Sequence, residues 1–244
     1  MATAGRTDDG KAGTFPDGMK IMPARRLLSS ACGLNNASRP VAQPGRTVPS
    51  EGFHVMSKFT AYTIETAPAA SKPILESVKK GFGFVPNLQA NMAESPELLA
   101  GYSTLWELFS KTSLSTTEQQ VVYLSTIYEN TCHYCMAGHT KLSAMQKIDP
   151  AVVQAIRAGE AINDARLEAL HVFTTTVVRE RGFASDAAVD TFLAAGYTRR
   201  NVLEVVLGVG TKVLSNYTNH LVHTQLDPFM AGAEWTKPGS TQAA

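Results

Sequence analysis

The chain has 244 residues, a formal net charge of +1 and 44% hydrophobic residues, which is room for one domain with a real core, or one domain plus a long tail. The near-neutral charge gives no reason to expect nucleic acid or an anionic membrane surface as partner, and without a run of about 18 apolar residues no membrane span is expected. Three cysteines (Cys32, Cys132 and Cys135) are too few and too odd in number for a secreted disulfide framework. They point to redox chemistry or metal in a reducing compartment, so the chain is expected in the cytoplasm.

Residues 1–55 are rich in Gly, Pro, Ser, Arg and Asn and show no sustained periodicity, so they read as a disordered N-terminal extension. Cys32 falls there and takes no role. Patterned sequence begins after Met56, a candidate initiator, and a helical domain is expected over 56–230, with a flexible tail over 231–244. Ile74, Leu75, Val78 and Phe82 recur at helical spacing, and Gly83-Phe84-Val85-Pro86-Asn87 breaks that helix. Ser95-Pro96-Glu97 opens the next, with a cap, a first-turn proline and an acid at the positive end. Ser115 and Glu118 have capping-box spacing at the start of a third.

Asn130 and Thr131 interrupt that third helix, and Thr131 is the expected cap of a helix from Cys132 to about Lys147. Asp149-Pro150, Asp164, Ser185 and Thr198 open four more. The last carries Val202, Val205, Val206, Val209, Val213, Leu214, Tyr217 and Leu221 and is expected to end at Asp227-Pro228. No alternation of period two is long enough for a sheet. The expected fold is an all-α helix bundle joined by short loops.

Cys132, Cys135 and His139 are spaced by three and four residues, which puts them on one helical stripe. The unpaired N–H groups of a helix start lower a cysteine pKa, and a neutral His one turn on can take a thiol proton. A second thiol can attack a sulfenic acid on the first and close a disulfide. Cβ atoms three apart on a helix lie about 5–6 Å apart against about 3.5–4.5 Å in a relaxed disulfide, so the bond should stay easy to reduce. Other readings compete. Zinc would need a fourth ligand, which His133 on another face and the distant His220 and His223 do not obviously supply. A c-type haem needs His where Met136 stands. Two buried cysteines and a core histidine would be the plainest reading.

The stretch Cys132-x-x-Cys135-x-x-x-His139 resembles the signature of the AhpD-like alkylhydroperoxidases in the carboxymuconolactone decarboxylase superfamily. Leu114-Ser115 with Glu118-Gln119-Gln120-Val121-Val122, the Gly83–Leu88 segment, and Gly196-Tyr197 through Asn219-His220-Leu221 extend the likeness over about residues 70–227. The resemblance implies an AhpD-like helix bundle, a homo-oligomer (trimer or hexamer), and peroxide reduction without metal or other cofactor. It implies a hydroperoxide substrate and an external thiol or dithiol reductant. Carried over, Cys135 attacks the peroxide, Cys132 resolves the intermediate, and His139 belongs to the proton relay. The family's relay Glu falls at Gln120, which can orient a histidine but cannot carry a proton or a negative charge. Glu118 or Glu129 could take over the relay, though each also reads as an ordinary cap or helix-end charge. Some family members place a His directly before the second cysteine, where Tyr134 stands here and is expected to pack. His133 is expected to face solvent. The alternatives are a redox-sensing or interaction protein of the same fold with little turnover, and a decarboxylase-like metabolic enzyme with incidental cysteines.

Overall fold

The computed structural model describes residues 58–240, so the expected extension over 1–55 and the role of Cys32 lie outside the described residues. The described part is all helical. Its helices are α1 (Lys72–Phe82), α2 (Asn87–Met92), α3 (Pro96–Ser110), α4 (Thr116–Asn130) and α5 (His133–Met145), then α6 (Pro150–Ala158), α7 (Ala165–Arg179), α8 (Asp186–Ala194) and α9 (Arg199–Val222). A short 3-10 turn covers Pro228–Met230. Among the described residues no helix is long and apolar enough to cross a membrane.

Local chemistry fixes most boundaries. Ser95 accepts from the Leu98 N–H, Asp149 from Ala151, Asp164 from Arg166 and Leu167, and Ser185 from Ala188. Ser115 and Glu118 form a full capping box, and Thr198 with Asn201 forms another. The expected break over 83–87 is shorter than the sequence suggests. Gly83, at φ 85, closes α1, and after Pro86 the chain turns at once into α2, too short to display a helical period. The last helix also ends early, at Val222, where His223 takes the left-handed conformation.

The centre of the bundle is α4. Gln120 through Ile127 are all buried, because α3, α5, α6, α7 and α9 pack round it. Ser125 and Thr126 are tolerated there because their hydroxyls donate back to the carbonyls of Val121 and Val122. The long α9 comes close to α3 and α4 at Gly208. A Cβ there would meet the Phe109 ring and Val122 Cγ1 at 2.7 Å. At the far corner Phe192 of α8 stacks between Phe173 and Tyr197, with ring centroids 4.3 and 4.4 Å away.

Residues 233–235 fall in the stretch expected as a flexible tail. Ala233 and Trp235 are buried, and Trp235 Nε1 donates to the carbonyl of Arg157. Arg157 in turn donates to the carbonyls of Ala233 and Glu234. The single indole gives this segment an anchor that its polar composition hides.

Candidate active site

The helix cap expected at Thr131 falls to Cys132. Thr131 has φ 55 and closes α4 in the left-handed region, with its N–H bonded to the carbonyls of Ile127 and Tyr128. That conformation is rare for a β-branched residue and turns the chain sharply. Cys132 then becomes the N-cap of α5, and Cys135 takes the third position of its first turn. It is therefore Cys135 that lies within the helix's field of free N–H groups.

Both cysteines are free and buried. Four side chains of α9 hold or flank them. Asn219 Nδ2 donates to Cys135 Sγ at 3.2 Å and to Cys132 Sγ at 3.7 Å. Ser215 Oγ lies 3.7 Å from Cys135 Sγ. Asn216 beside them is fixed by a bond from Asn130 Nδ2. Lys212, one turn before, is 1% exposed. Residues 212, 215 and 219 fall on one face of the helix, so a polar stripe faces the thiols from within an otherwise apolar element.

The two thiols are unequal. Burial pushes Cys135 up, but the Cys132 thiol donating to its sulfur, the Lys212 charge and the Ser215 hydroxyl outweigh burial and bring it down to about 5. Cys132 goes the other way, first because its hydrogen bond to Cys135 holds its proton and then because it is buried. At neutral pH the pair is one thiolate, on Cys135, and one thiol, on Cys132.

His139 is buried and lies one turn beyond Cys135 on α5, as the stripe requires. Its ring nitrogens, however, are spoken for by other groups. Nδ1 is 2.8 Å from Gln120 Oε1 and Nε2 is 3.0 Å from Lys212 Nζ. An amide oxygen only accepts and an ammonium only donates, so the ring carries its proton on Nδ1 and accepts from Lys212 through Nε2. Burial, then the Lys212 charge, holds its pKa well below the ordinary value. The imidazole is thus neutral, and its basic lone pair points at a lysine rather than at a thiol. Expected as a base for Cys135, it instead carries the link between Gln120 and Lys212.

Of the three candidate relay groups, Gln120 alone is brought to His139. Glu118 closes the capping box and pairs with Arg166, while Glu129 pairs with Arg179 at 2.7 Å. The reason is helical phase: at about 100° per residue, both glutamates point roughly opposite to Gln120 on α4. Tyr134 also differs from the packing residue expected. Its hydroxyl donates to the buried carboxylate of Asp227 and accepts from the Leu88 N–H, which ties α2, α5 and the C-terminal segment together beside Cys135. His133 is exposed, as expected, with Nδ1 at 2.6 Å from the Trp235 carbonyl.

A cleft of about 410 Å³ opens onto Cys135. Trp106, Leu88, Pro86, Leu142, Phe229 and Met230 wall it, and Cys135, His139 and Lys212 form its polar part. The Lys212 ammonium also faces the rings of Tyr123 and Trp106, 5.3 and 5.8 Å from their centroids. Among the described residues no three His, Cys, Asp or Glu side chains converge as ligands of a metal would.

Residues 96–176 match the model of the carboxymuconolactone decarboxylase family, a stretch that carries Gln120, both cysteines and His139. The likeness to that family covers about a third of the chain. Solved structures share the AhpD-like fold. A peroxidase-related protein with an alkylhydroperoxidase AhpD core from Ralstonia eutropha JMP134 is 18% identical, with a TM-score of 0.65 over 75% of this chain and 100% of its own. A peroxidase-related protein from Silicibacter sp. TM1040 is 18% identical, with a TM-score of 0.62 over 74% of this chain and 98% of its own. A variant of the debrominase Bmp8 in complex with 2,3,4-tribromopyrrole is 14% identical, with a TM-score of 0.60 over 72% of this chain and 97% of its own. No curated protein matches the chain. Lys212, Ser215 and Asn219 lie outside the matched stretch. The signal that would have found them is a lysine and two further polar residues on the buried face of a Val- and Leu-rich AhpD-like helix.

Proposed function

We propose that this protein is a thiol-dependent peroxidase that reduces organic hydroperoxides through a Cys132–Cys135 disulfide cycle. One observation carries the reading: Cys135 opens onto an apolar cleft that the buried Lys212 also lines, and Asn219 ties its sulfur to that of Cys132. The thiolate attacks the outer peroxide oxygen; an S–O bond forms and the O–O bond breaks. The departing alkoxide develops charge in the cleft that Lys212 lines, and it leaves as the alcohol after protonation. The Cys132 sulfur then attacks the sulfenic acid, an S–S bond forms and water is released. The sum is ROOH plus two thiols giving ROH, water and a disulfide. An external thiol or dithiol restores both thiols, which a reducing compartment such as the cytoplasm would supply.

The experiment is consumption of cumene hydroperoxide with dithiothreitol as reductant. Wild type should turn over and Cys135→Ser should be inactive, while Cys132→Ser treated with peroxide in the absence of dithiothreitol should stop after one equivalent with a dimedone-reactive Cys135. Undiminished turnover in Cys135→Ser sinks the assignment.

A second reading is favoured by Gln120. Without a carboxylate at the end of the His139 link, proton delivery in repeated cycles is slow, and the protein would serve as a peroxide sensor. Stoichiometric disulfide formation with negligible turnover across several reductants would select it. We also propose a homo-oligomer, trimer or hexamer, because Leu203, Val206, Tyr217 and Leu221 are exposed along α9. Light scattering during size exclusion tests this, and a monomer at micromolar concentration contradicts it.

A further inference from the structure

Gln89 of α2 is 8% exposed, and its Oε1 has no hydrogen-bond partner. An unpaired buried carbonyl is costly, and natural structures leave few of them. Other buried polar atoms lack partners too, on Ser143, Thr174, Asn216 and Asn219, but those residues line neither hollow near the thiols. Gln89 lines both: the cleft in front of Cys135, and a second hollow of about 360 Å³ next to it. Phe82, Tyr102 and Trp106 are shared as well, so the two hollows run on from each other. The second is closed by Val78 and Ser103 and contains neither the thiol nor the lysine.

From this geometry we infer that Gln89 is a specificity-determining residue, and that the substrate is an aromatic or otherwise apolar hydroperoxide carrying a second hydrogen-bond donor, a hydroxyl or N–H, on its body. This rests on the peroxidase reading above. The reacting end must reach Cys135, while the apolar body extends past Trp106 into the second hollow. The Gln89 amide stands where the two meet, and its carbonyl lacks the donor that such a ligand brings. A site built to bond a donor discriminates strongly against the analogue without it, because the protein atom is then left unpaired.

The test is equilibrium binding to the reduced protein without peroxide, read by quenching of the tryptophan fluorescence to which Trp106 in the cleft wall contributes. The probes are para-hydroxyphenyl dimethyl carbinol and its para-methyl counterpart, which has nearly the same shape. Wild type should prefer the hydroxyl probe about tenfold. Gln89→Met should erase that preference, and Gln89→Glu, which keeps an acceptor, should retain it. A wild-type preference under about twofold, or a full preference surviving in Gln89→Met, overturns the inference. If Gln89→Met does not fold by circular dichroism, the wild-type and Gln89→Glu preferences decide alone. Cumene hydroperoxide turnover, measured separately, lacks the second donor and judges only the peroxidase reading.

Discussion

Lys212 Nζ lies 3.0 Å from His139 Nε2, inside the protein and with no carboxylate in ion-pair reach among the described residues. A buried ammonium without a counter-charge is strongly unfavourable, by several kcal/mol. The charge that answers it is the Cys135 thiolate. The lysine and the thiolate thus depend on each other, and the histidine between Gln120 and Lys212 holds the lysine in place.

Replacing Lys212 by methionine should therefore cost reactivity and some stability together. The volume is similar, but buried His139 Nε2 loses its donor, so stability should fall by about 1–3 kcal/mol. The Cys135 pKa should move up, and alkylation at pH 6 should fall at least about tenfold, since each pKa unit above the working pH removes about nine-tenths of the thiolate. Urea unfolding and iodoacetamide labelling measure the two effects.

Gln120→Glu places a carboxylate against His139 Nδ1, the residue type the superfamily resemblance expects there. A negative charge in hydrogen-bond reach favours the imidazolium, so the depressed His139 pKa should rise. Nitrogen-15 NMR titration of the ring should show the upward move. A ring that stays neutral down to pH 5 would mean that the Lys212 charge dominates.

Gly208→Ala should destabilise the fold by about 1–3 kcal/mol, because the new methyl meets the Phe109 ring and Val122 at 2.7 Å and α9 must shift. Since α9 carries Lys212, Ser215 and Asn219, peroxide reactivity should drop with it. Denaturant midpoints against labelling rates check the pairing of the two losses.

Tyr134→Phe removes the donor to the buried Asp227 carboxylate and leaves that acceptor with only the Asn87 N–H. The loss should be about 1–3 kcal/mol. Hydrogen exchange should speed up over residues 223–235, while α7 and α8 stay unchanged.

The helix caps were legible in the sequence because each is a local bargain. Ser95, Ser115 with Glu118, Asp149, Asp164, Ser185 and Thr198 satisfy N–H groups two or three residues away. The Cys135–His139 spacing was legible for the same reason, since helical phase alone sets it, with Cys132 standing before them as the cap of α5. What stayed hidden depends on tertiary partners. Lys212 reads as an ordinary helix residue until α5 packs against it and supplies the thiolate. Thr131 reads as an N-cap, yet the turn between α4 and α5 forces it left-handed and hands the cap to Cys132. Trp235 gives no periodic signal, and only its bond to Arg157 reveals that the segment is held.

The pH dependence of thiol alkylation, resolved for each cysteine by peptide mass spectrometry, probes the Lys212–Cys135 pairing most directly. A folded pKa below the free value means that the thiolate persists above it and is lost as pH falls through it. Cys135 should therefore label with a midpoint near 5 and a plateau through neutral pH, while Cys132 stays unlabelled at neutral pH. A Cys135 midpoint at the free-thiol value of about 8.5, or Cys132 labelling first, would contradict it.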